Sequence, residues 1–204
     1  MQLGLKNKKV LITGGTSGIG FETLKGFLKE GSQVISISKD IKNVKKIKGN
    51  ITDLFPDKSC NFYICDCTKY ENTLSTFRDV YKAHGDIDIL VNNVGQGSGN
   101  NHPLPEQKDW DEFMGINFNA AQYVTSIFIK SLLNTNGNIV FVGSIVSKEV
   151  LNAPTPYTVA KSALLSFSKS LASKYGNQIR VNTVSPGNIL IPNGSWDKKL
   201  KLNK

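Results

Sequence analysis

Tyr157 and Lys161 stand four residues apart in "YTVAK", at the head of a stretch whose apolar residues continue through Leu164, Leu165, Phe167 and Leu171. On a helix that spacing projects both side chains from one face. A phenol is a poor proton donor or acceptor near neutrality, with a reference pKa of about 10. An adjacent ammonium favours the phenolate, and each unit of lowering corresponds to about 1.36 kcal/mol. The pair can therefore do acid–base work, although taken alone it reads more readily as an exposed pair on a helix. Ser144 closes the strand-like run "IVFVGS" thirteen positions earlier. A hydroxyl there can donate to a carbonyl oxygen as it gains negative charge.

A second chemical signal is "TGGTSGIG", Thr13 to Gly20, with four glycines in seven residues directly after Val10-Leu11-Ile12. A backbone without Cβ atoms either turns sharply or lets a ligand approach the main chain. Apolar residues Ile19, Leu24, Phe27 and Leu28 then follow a helical pattern that Gly31 stops. Strand, glycine turn and helix in that order aim free N–H groups and a helix dipole at one spot, which favours a phosphate.

The elements that must position these residues alternate along the chain. Six strand-like runs occur at Val10 to Ile12, Val34 to Ile37, Phe62 to Cys65, Ile87 to Val91, Ile139 to Val142 and Ile179 to Val184, mostly with helical stretches between them. Runs apolar on both faces and separated by helices predict an α/β fold with a doubly wound, Rossmann-like parallel sheet of six strands, covered by helices on both faces. With 204 residues and 39% apolar content, the chain has the size of one domain. Residues 1–115 read as mainly the cofactor-binding half, 116–192 as the catalytic half, and 193–204 as a short basic tail.

Composition narrows the alternatives. No apolar run approaches the roughly 18 residues of a membrane span and no apolar leader precedes the first strand, so a soluble, cytoplasmic protein without membrane contact is expected. Cys60, Cys65 and Cys67 are too few for a disulfide framework; Cys65 and Cys67 read as sharing one face of a strand, and with only His84 and His102 besides, no metal site is expected. The net charge of +9 comes largely from lysine runs. They lack interleaved aromatics, so they read as solvated surface and no nucleic-acid partner is expected.

The ordered set of motifs resembles the short-chain dehydrogenase/reductase family: "TGGTSGIG", "NNVG" at Asn92 to Gly95, "IN" at Ile116-Asn117, Ser144, "YTVAK" at Tyr157 to Lys161, and "SPGN" at Ser185 to Asn188. The resemblance implies reversible hydride transfer between a nicotinamide and a carbonyl or alcohol carbon. Tyr157 is then the acid/base and Ser144 polarises the carbonyl. Lys161 assists and also binds the nicotinamide ribose, while Asn117 completes the proton relay. It further implies a cofactor site made of Gly14, Ser17, Gly18, Ile19, Gly20, Ser38, Lys39, Asp66, Asn93, Gly95, Tyr157, Lys161, Pro186, Gly187 and Ile189. Asp66, read as closing the third strand, would accept from the adenine amino group; its plain alternative is a capping role before Thr68. For Asn117 the alternative is a polar residue satisfying local backbone.

Ser38 stands where an acid selecting NAD is expected, and Lys39 follows it. NADP(H) is therefore the preferred cofactor, with NAD(H) as the alternative and Asp40 as the residue that would favour it. Two departures bear on function. "NNVG" replaces the family's "NNAG", and no hydroxyl residue follows Pro186-Gly187 at the usual distance, leaving Ile191 there and Asn188 or Ser195 as substitutes. The usual last strand of the family is expected to be missing. The family also pairs the two helices that hold Phe118 to Leu133 and Tyr157 onward across a two-fold axis, which implies a homodimer. The substrate is expected to be a small molecule, a 3-oxoacyl or keto-sugar compound. A weakly active or inactive dinucleotide-binding module is the competing reading.

Overall fold

Successive residues of the central strands serve opposite faces of one sheet, and both faces are covered. In β1 (Lys9–Thr13), Val10 and Ile12 point to one side and Leu11 to the other, all with no exposed surface. A strand's side-chain period of two makes this unavoidable, so a strand flanked by helices on both sides must be apolar throughout. The computed structural model describes residues 3–58, 60–191, 197 and 201. Its other strands are β2 (Gln33–Ser38), β3 (Cys60–Ile64), β4 (Ile89–Asn92), β5 (Asn138–Val142) and β6 (Arg180–Val184). Every pairing is parallel, in the order β3-β2-β1-β4-β5-β6.

The helices are α1 (Gly18–Lys29), α2 (Ile41–Leu54), α3 (Tyr70–His84), α4 (Gln107–Met114), α5 (Ala120–Asn134) and α6 (Thr155–Tyr175), with a π-helical turn at Gly115–Asn119 and a 3₁₀ turn at Ile145–Ser147. Leu24 and Leu28 of α1 with Ile47 and Ile51 of α2 cover Val10, Ile12, Val34, Ile89 and Val91. The opposite layer is larger: Val80 of α3, Val124, Phe128 and Leu132 of α5, and Leu164 of α6 pack on Leu11, Ile35, Ile37, Leu90, Ile139 and Phe141. Phe128 also meets Phe77 edge to face at 4.9 Å between ring centroids.

This is the six-stranded doubly wound sheet that the alternation of runs predicts. Strand ends shift by one or two residues, β5 closing at Val142 before Ser144, and one of these boundaries bears on the site. β3 ends at Ile64, in register with Ser38. Asp66 therefore does not close the strand, and Cys65 and Cys67 lie in the turn after it instead of on a strand face. The cause is local: Asp66 Oδ1 accepts from the Thr68 amide at 3.0 Å and the Thr68 hydroxyl at 2.7 Å, which bends the chain toward α3.

The chain returns from β3 at one edge to β4 beside β1, so the connections leave β1 and β4 toward opposite sides. A crevice opens at their carboxyl ends, where ligands bind in sheets of this class. Of the basic tail, Asp197 and Lys201 are described and form an ion pair at 2.8 Å; Ser195 lies outside the described residues. No described helix is long and apolar enough to cross a membrane.

Phe128 is 1% exposed and joins α5 to the larger core. Phe128→Ala is expected to lower stability by about 3–5 kcal/mol in urea unfolding, because the cavity cannot close against a rigid sheet.

Candidate active site

The crevice begins at the turn after β1. Gly14 has φ +70° and Gly18 φ +55°, conformations that side chains rarely adopt. The turn is held by β4's continuation: Asn93 Nδ2 donates to Thr13 O at 3.0 Å and Gly14 O at 3.1 Å. The Thr13 hydroxyl accepts from the amides of Asn93 and Val94 at 3.0 and 3.2 Å. Val94 departs from the more usual alanine, and its Cγ2 would stand 3.3 Å from a Cβ on Gly14, so the bare turn accommodates the larger side chain. Gly20 faces inward beneath the turn, where a Cβ would collide with Gly14 O and Asn93 Nδ2.

From this turn a cleft of about 540 Å³ runs in two directions. One arm reaches Ser38, Lys39, Cys65, Asp66, Cys67 and Thr68; the other reaches Ser144, Tyr157, Lys161, Pro186 and Gly187. Gly14, Ser17, Gly18, Ile19, Asn93 and Gly95 line the stretch between. Of the residues expected from sequence, Gly20, Asn117 and Ile189 do not line the cleft. Gly20 and Asn117 support it from behind, and Ile189 is 45% exposed. Ile191 lines the cleft instead, its Cδ1 within 3.3 Å of where a Gly18 Cβ would stand.

Ser144 follows β5 and caps the 3₁₀ turn, its Oγ accepting from the Val146 amide at 3.4 Å. The Ile145 amide donates to Pro186 O at 3.1 Å, tying this turn to the loop after β6. Tyr157 and Lys161 project from the first turns of α6. Lys161 is 3% exposed and its Nζ donates to Val142 O at 2.8 Å. Burial brings its ammonium down to about 8. Asn117, fully buried in the π-helical turn, accepts from the Gln96 amide at 2.9 Å and donates to Gln96 O at 3.0 Å and Phe113 O at 3.1 Å. It thereby satisfies backbone, as its plain reading held, but the backbone is that of the loop over the cleft. A Cβ on Gly95 would lie 3.0 Å from Asn117 Oδ1 and 3.1 Å from Lys161 Nζ, so only glycine passes between them comfortably.

At the other arm, the Ser38 hydroxyl is 3.1 Å from the Thr16 hydroxyl and accepts from the Asp40 amide at 3.3 Å. Asp40 caps α2 through an oxygen that accepts from the Asn43 amide at 3.0 Å. Lys39 is exposed and lines the cleft. Burial pushes the Asp66 carboxyl up, yet the two Thr68 hydrogen bonds, with Lys39 and Lys69, outweigh it and hold the group below its usual value. Asp66 thus has the local role and lines the cleft as well.

Sequence reasoning passed over Thr13, Thr16 and Gly97. A Cβ on Gly97 would stand 3.2 Å from Tyr157 Cζ and 3.5 Å from its hydroxyl, so this backbone closes over the phenol. The glycine spacing in "GQGSG" was the available signal.

A doubly wound sheet with a glycine turn at its switch point, and a cleft shared by Ser144, Tyr157 and Lys161, defines an oxidoreductase of the dinucleotide-binding class. A family model described as short chain dehydrogenase matches residues 8–199, and the chain belongs to that family of NAD(P)-dependent dehydrogenases and reductases. The chain is similar to a 3-oxoacyl-[acyl-carrier-protein] reductase of Chlamydia pneumoniae, at 32% identity over 196 residues, covering 92% of this chain and 75% of the relative. It is similar to an L-fucose dehydrogenase of Bos taurus at 28% identity, covering 91% of this chain and 67% of the relative. Among solved structures, L-sorbose reductase from Gluconobacter frateurii, complexed with NADPH and L-sorbose, superimposes with a TM-score of 0.91 at 29% identity, covering 100% of this chain and 77% of that one.

The buried Lys161 ammonium has a stability consequence. Its folded value of about 8 lies below the reference of 10.5, so the unfolded chain binds more protons between those values and stability rises with pH across that window. Lys161→Met removes the buried charge and the bond to Val142 O. At pH 7 the variant is expected to be more stable than the parent by on the order of 2 kcal/mol, with the gap closing toward pH 10. Thermal melts of the two cofactor-free proteins across pH 7 to 10 check this; a gap independent of pH would locate the effect elsewhere.

Proposed function

We propose that this chain is an NADP(H)-dependent reductase of a small carbonyl compound, acting in reverse on the alcohol. The observation that carries the reading is the meeting of Ser144, Tyr157 and Lys161 in a cleft continuous with the glycine turn. The residues fit a dinucleotide. The positive-φ glycines keep Cβ atoms out of the turn beside the start of α1, where N–H groups attract phosphate. Lys39, Ser38, Asp66 and Thr68 supply charge and hydrogen bonds at the far arm. When bound, the cofactor supplies hydride from its nicotinamide C4 to the carbonyl carbon, or receives it in reverse.

Ser144 donates its hydroxyl to the substrate oxygen as charge grows there, a change from its contact with the Val146 amide, in which the oxygen only accepts. Tyr157 delivers the proton to that oxygen. Lys161, held by Val142 O, stands one helical turn after Tyr157 along α6 and lines the same cleft, where it would hold the nicotinamide ribose. Asn117 positions the Gln96 backbone, and through it Gly95 and Gly97, against Lys161 and Tyr157.

Two features favour NADP(H). Lys39 lines the cleft near Asp66 and forms no ion pair within 4 Å among the described residues, whereas Asp40, which also lines it, has one oxygen engaged in capping α2. The substrate class we propose is a 3-oxoacyl or keto-sugar compound, in line with the relatives' names. The loop from Gly95 to Gln107, rich in exposed amides such as Asn100 and Asn101, suits a hydroxylated partner. We also propose a cytoplasmic homodimer through α5 and α6, read out by light scattering coupled to size exclusion at micromolar concentration.

Screening NADPH oxidation against keto-sugars and 3-oxoacyl thioesters, beside a cofactor-binding titration, tests the proposal; binding without turnover on any of them would favour the dinucleotide-binding module. Tyr157→Phe is expected to keep cofactor affinity and lower turnover at least about a hundredfold. Lys39→Ala is expected to weaken NADPH at least about tenfold while NADH changes little, since only the 2′-phosphate loses a charge partner.

A further inference from the structure

The turn after β3 carries two thiols, one on each side of Asp66, and the proposed mechanism uses neither. Cys65 and Cys67 both line the arm of the cleft that holds Ser38 and Lys39. They are 5% and 4% exposed, they flank Asp66 in the chain, and the Cys65 thiol points toward the Thr73 hydroxyl at 4.0 Å. Both residues also belong to the larger apolar core, so they stand where that core meets the cleft. The segment is anchored at both ends: the Cys65 amide donates to Ser38 O at 3.0 Å, and the Lys69 amide donates to Asp66 O at 3.0 Å.

The three thiols of this region differ in reactivity. The neighbouring Cys67 thiol, with the Thr76 and Thr73 hydroxyls, outweighs burial and lowers the Cys65 thiol from its usual value. Cys67 is held well above the usual thiol value. Cys60, on β3 itself, is pushed up to about 12 by burial. Of the three, Cys65 is the one whose surroundings favour the thiolate, with Cys67 two residues along the same cleft-lining turn.

We propose that Cys65 and Cys67 are a dithiol modification site: a hydroperoxide converts the pair to an intramolecular disulfide, which draws Asp66 out of its place in the cofactor cleft. The Cys65 thiolate attacks a peroxide oxygen, the O–O bond breaks, and the departing hydroxide takes a proton to leave as water (or alcohol), giving a sulfenic acid. The Cys67 sulfur then attacks the Cys65 sulfur; the S–S bond forms, the S–O bond breaks, and a water leaves with the Cys67 proton. Two thiols lose two electrons and the peroxide gains them.

Asp66 is the only residue between the two sulfurs, so closing so small a ring must be absorbed by its backbone. The hydrogen bonds that aim its carboxylate, from the Thr68 amide and hydroxyl, depend on that backbone. The consequence for the cofactor rests on reading this cleft as the dinucleotide site.

The test treats the full-length chain with hydrogen peroxide and follows intact mass, a peptide map and NADPH affinity by fluorescence. The expected result is a loss of about 2 Da mapped to Cys65–Cys67, with the NADPH Kd raised at least about tenfold and restored by dithiothreitol. Cys60→Ser should respond like the parent, whereas Cys67→Ser should lose the 2 Da change and trap a dimedone-reactive sulfenic acid on Cys65. Oxidation at Cys60, or a Cys65–Cys67 disulfide that leaves the Kd unchanged, would overturn the proposal. A reduced chain that fails to bind NADPH but still forms the disulfide would sink the dinucleotide reading, and with it the effect on cofactor, while leaving the thiol chemistry standing.

Discussion

The clamp between Thr13 and Asn93 is the interaction on which the rest of the site depends. A parallel sheet opens a crevice where consecutive connections part, but a crevice alone has mobile lips. Here the side chain of Asn93 spans it and binds two carbonyls of the glycine turn, while the Thr13 hydroxyl returns the contact to the amides of Asn93 and Val94. Four hydrogen bonds fix the separation of β1 and β4 at their ends. The turn can then carry positive-φ glycines, which lose more conformational freedom on ordering than other residues, and still hold one shape.

The clamp also sets the path of the chain beyond Asn93. Gly95 passes between Asn117 and Lys161, and Gly97 lies on the Tyr157 ring. Asn117 holds Gln96 between them by both its backbone groups. The loop is thus fastened to the π-helical turn before α5, and through Lys161 and Val142 O the start of α6 is fastened to the end of β5. Side chains from three separate connections meet because polar groups hold these backbone segments: Asn93 the glycine turn, Asn117 the Gln96 loop, and Lys161 the end of β5.

Charge is placed at the expense of stability. An almost fully buried ammonium at Lys161 is unfavourable in itself, and it adds nothing to the two apolar layers. Local rules that a foldable sequence otherwise obeys are broken at functional positions, because the chemistry needs the group there. The third strand shows the same division: Cys60 is an inert apolar filler, whereas five and seven residues later the chain has left the sheet and the thiols line the cleft.

The sheet was legible in the sequence because runs such as Val10-Leu11-Ile12 and Ile139 to Val142, apolar on both faces and separated by helical stretches, have few other stable uses. The i, i+4 spacing of Tyr157 and Lys161, and the strand–glycine–helix order, are local and survive without tertiary information. What residue type and spacing could not decide was which polar groups face the cleft and which brace it. Asn117 and Gly20 stand behind the site, Ile191 enters it while Ile189 remains outside, and Asp66 and the two cysteines leave the strand on which the hydrophobic pattern put them. Those outcomes turn on contacts between residues distant in the chain, such as Asn117 with Gln96, and on a side chain bonding its neighbour's amide at Thr68. The hydrophobic period specifies faces of elements; only the packed structure decides how far each connection reaches and what its polar atoms find there.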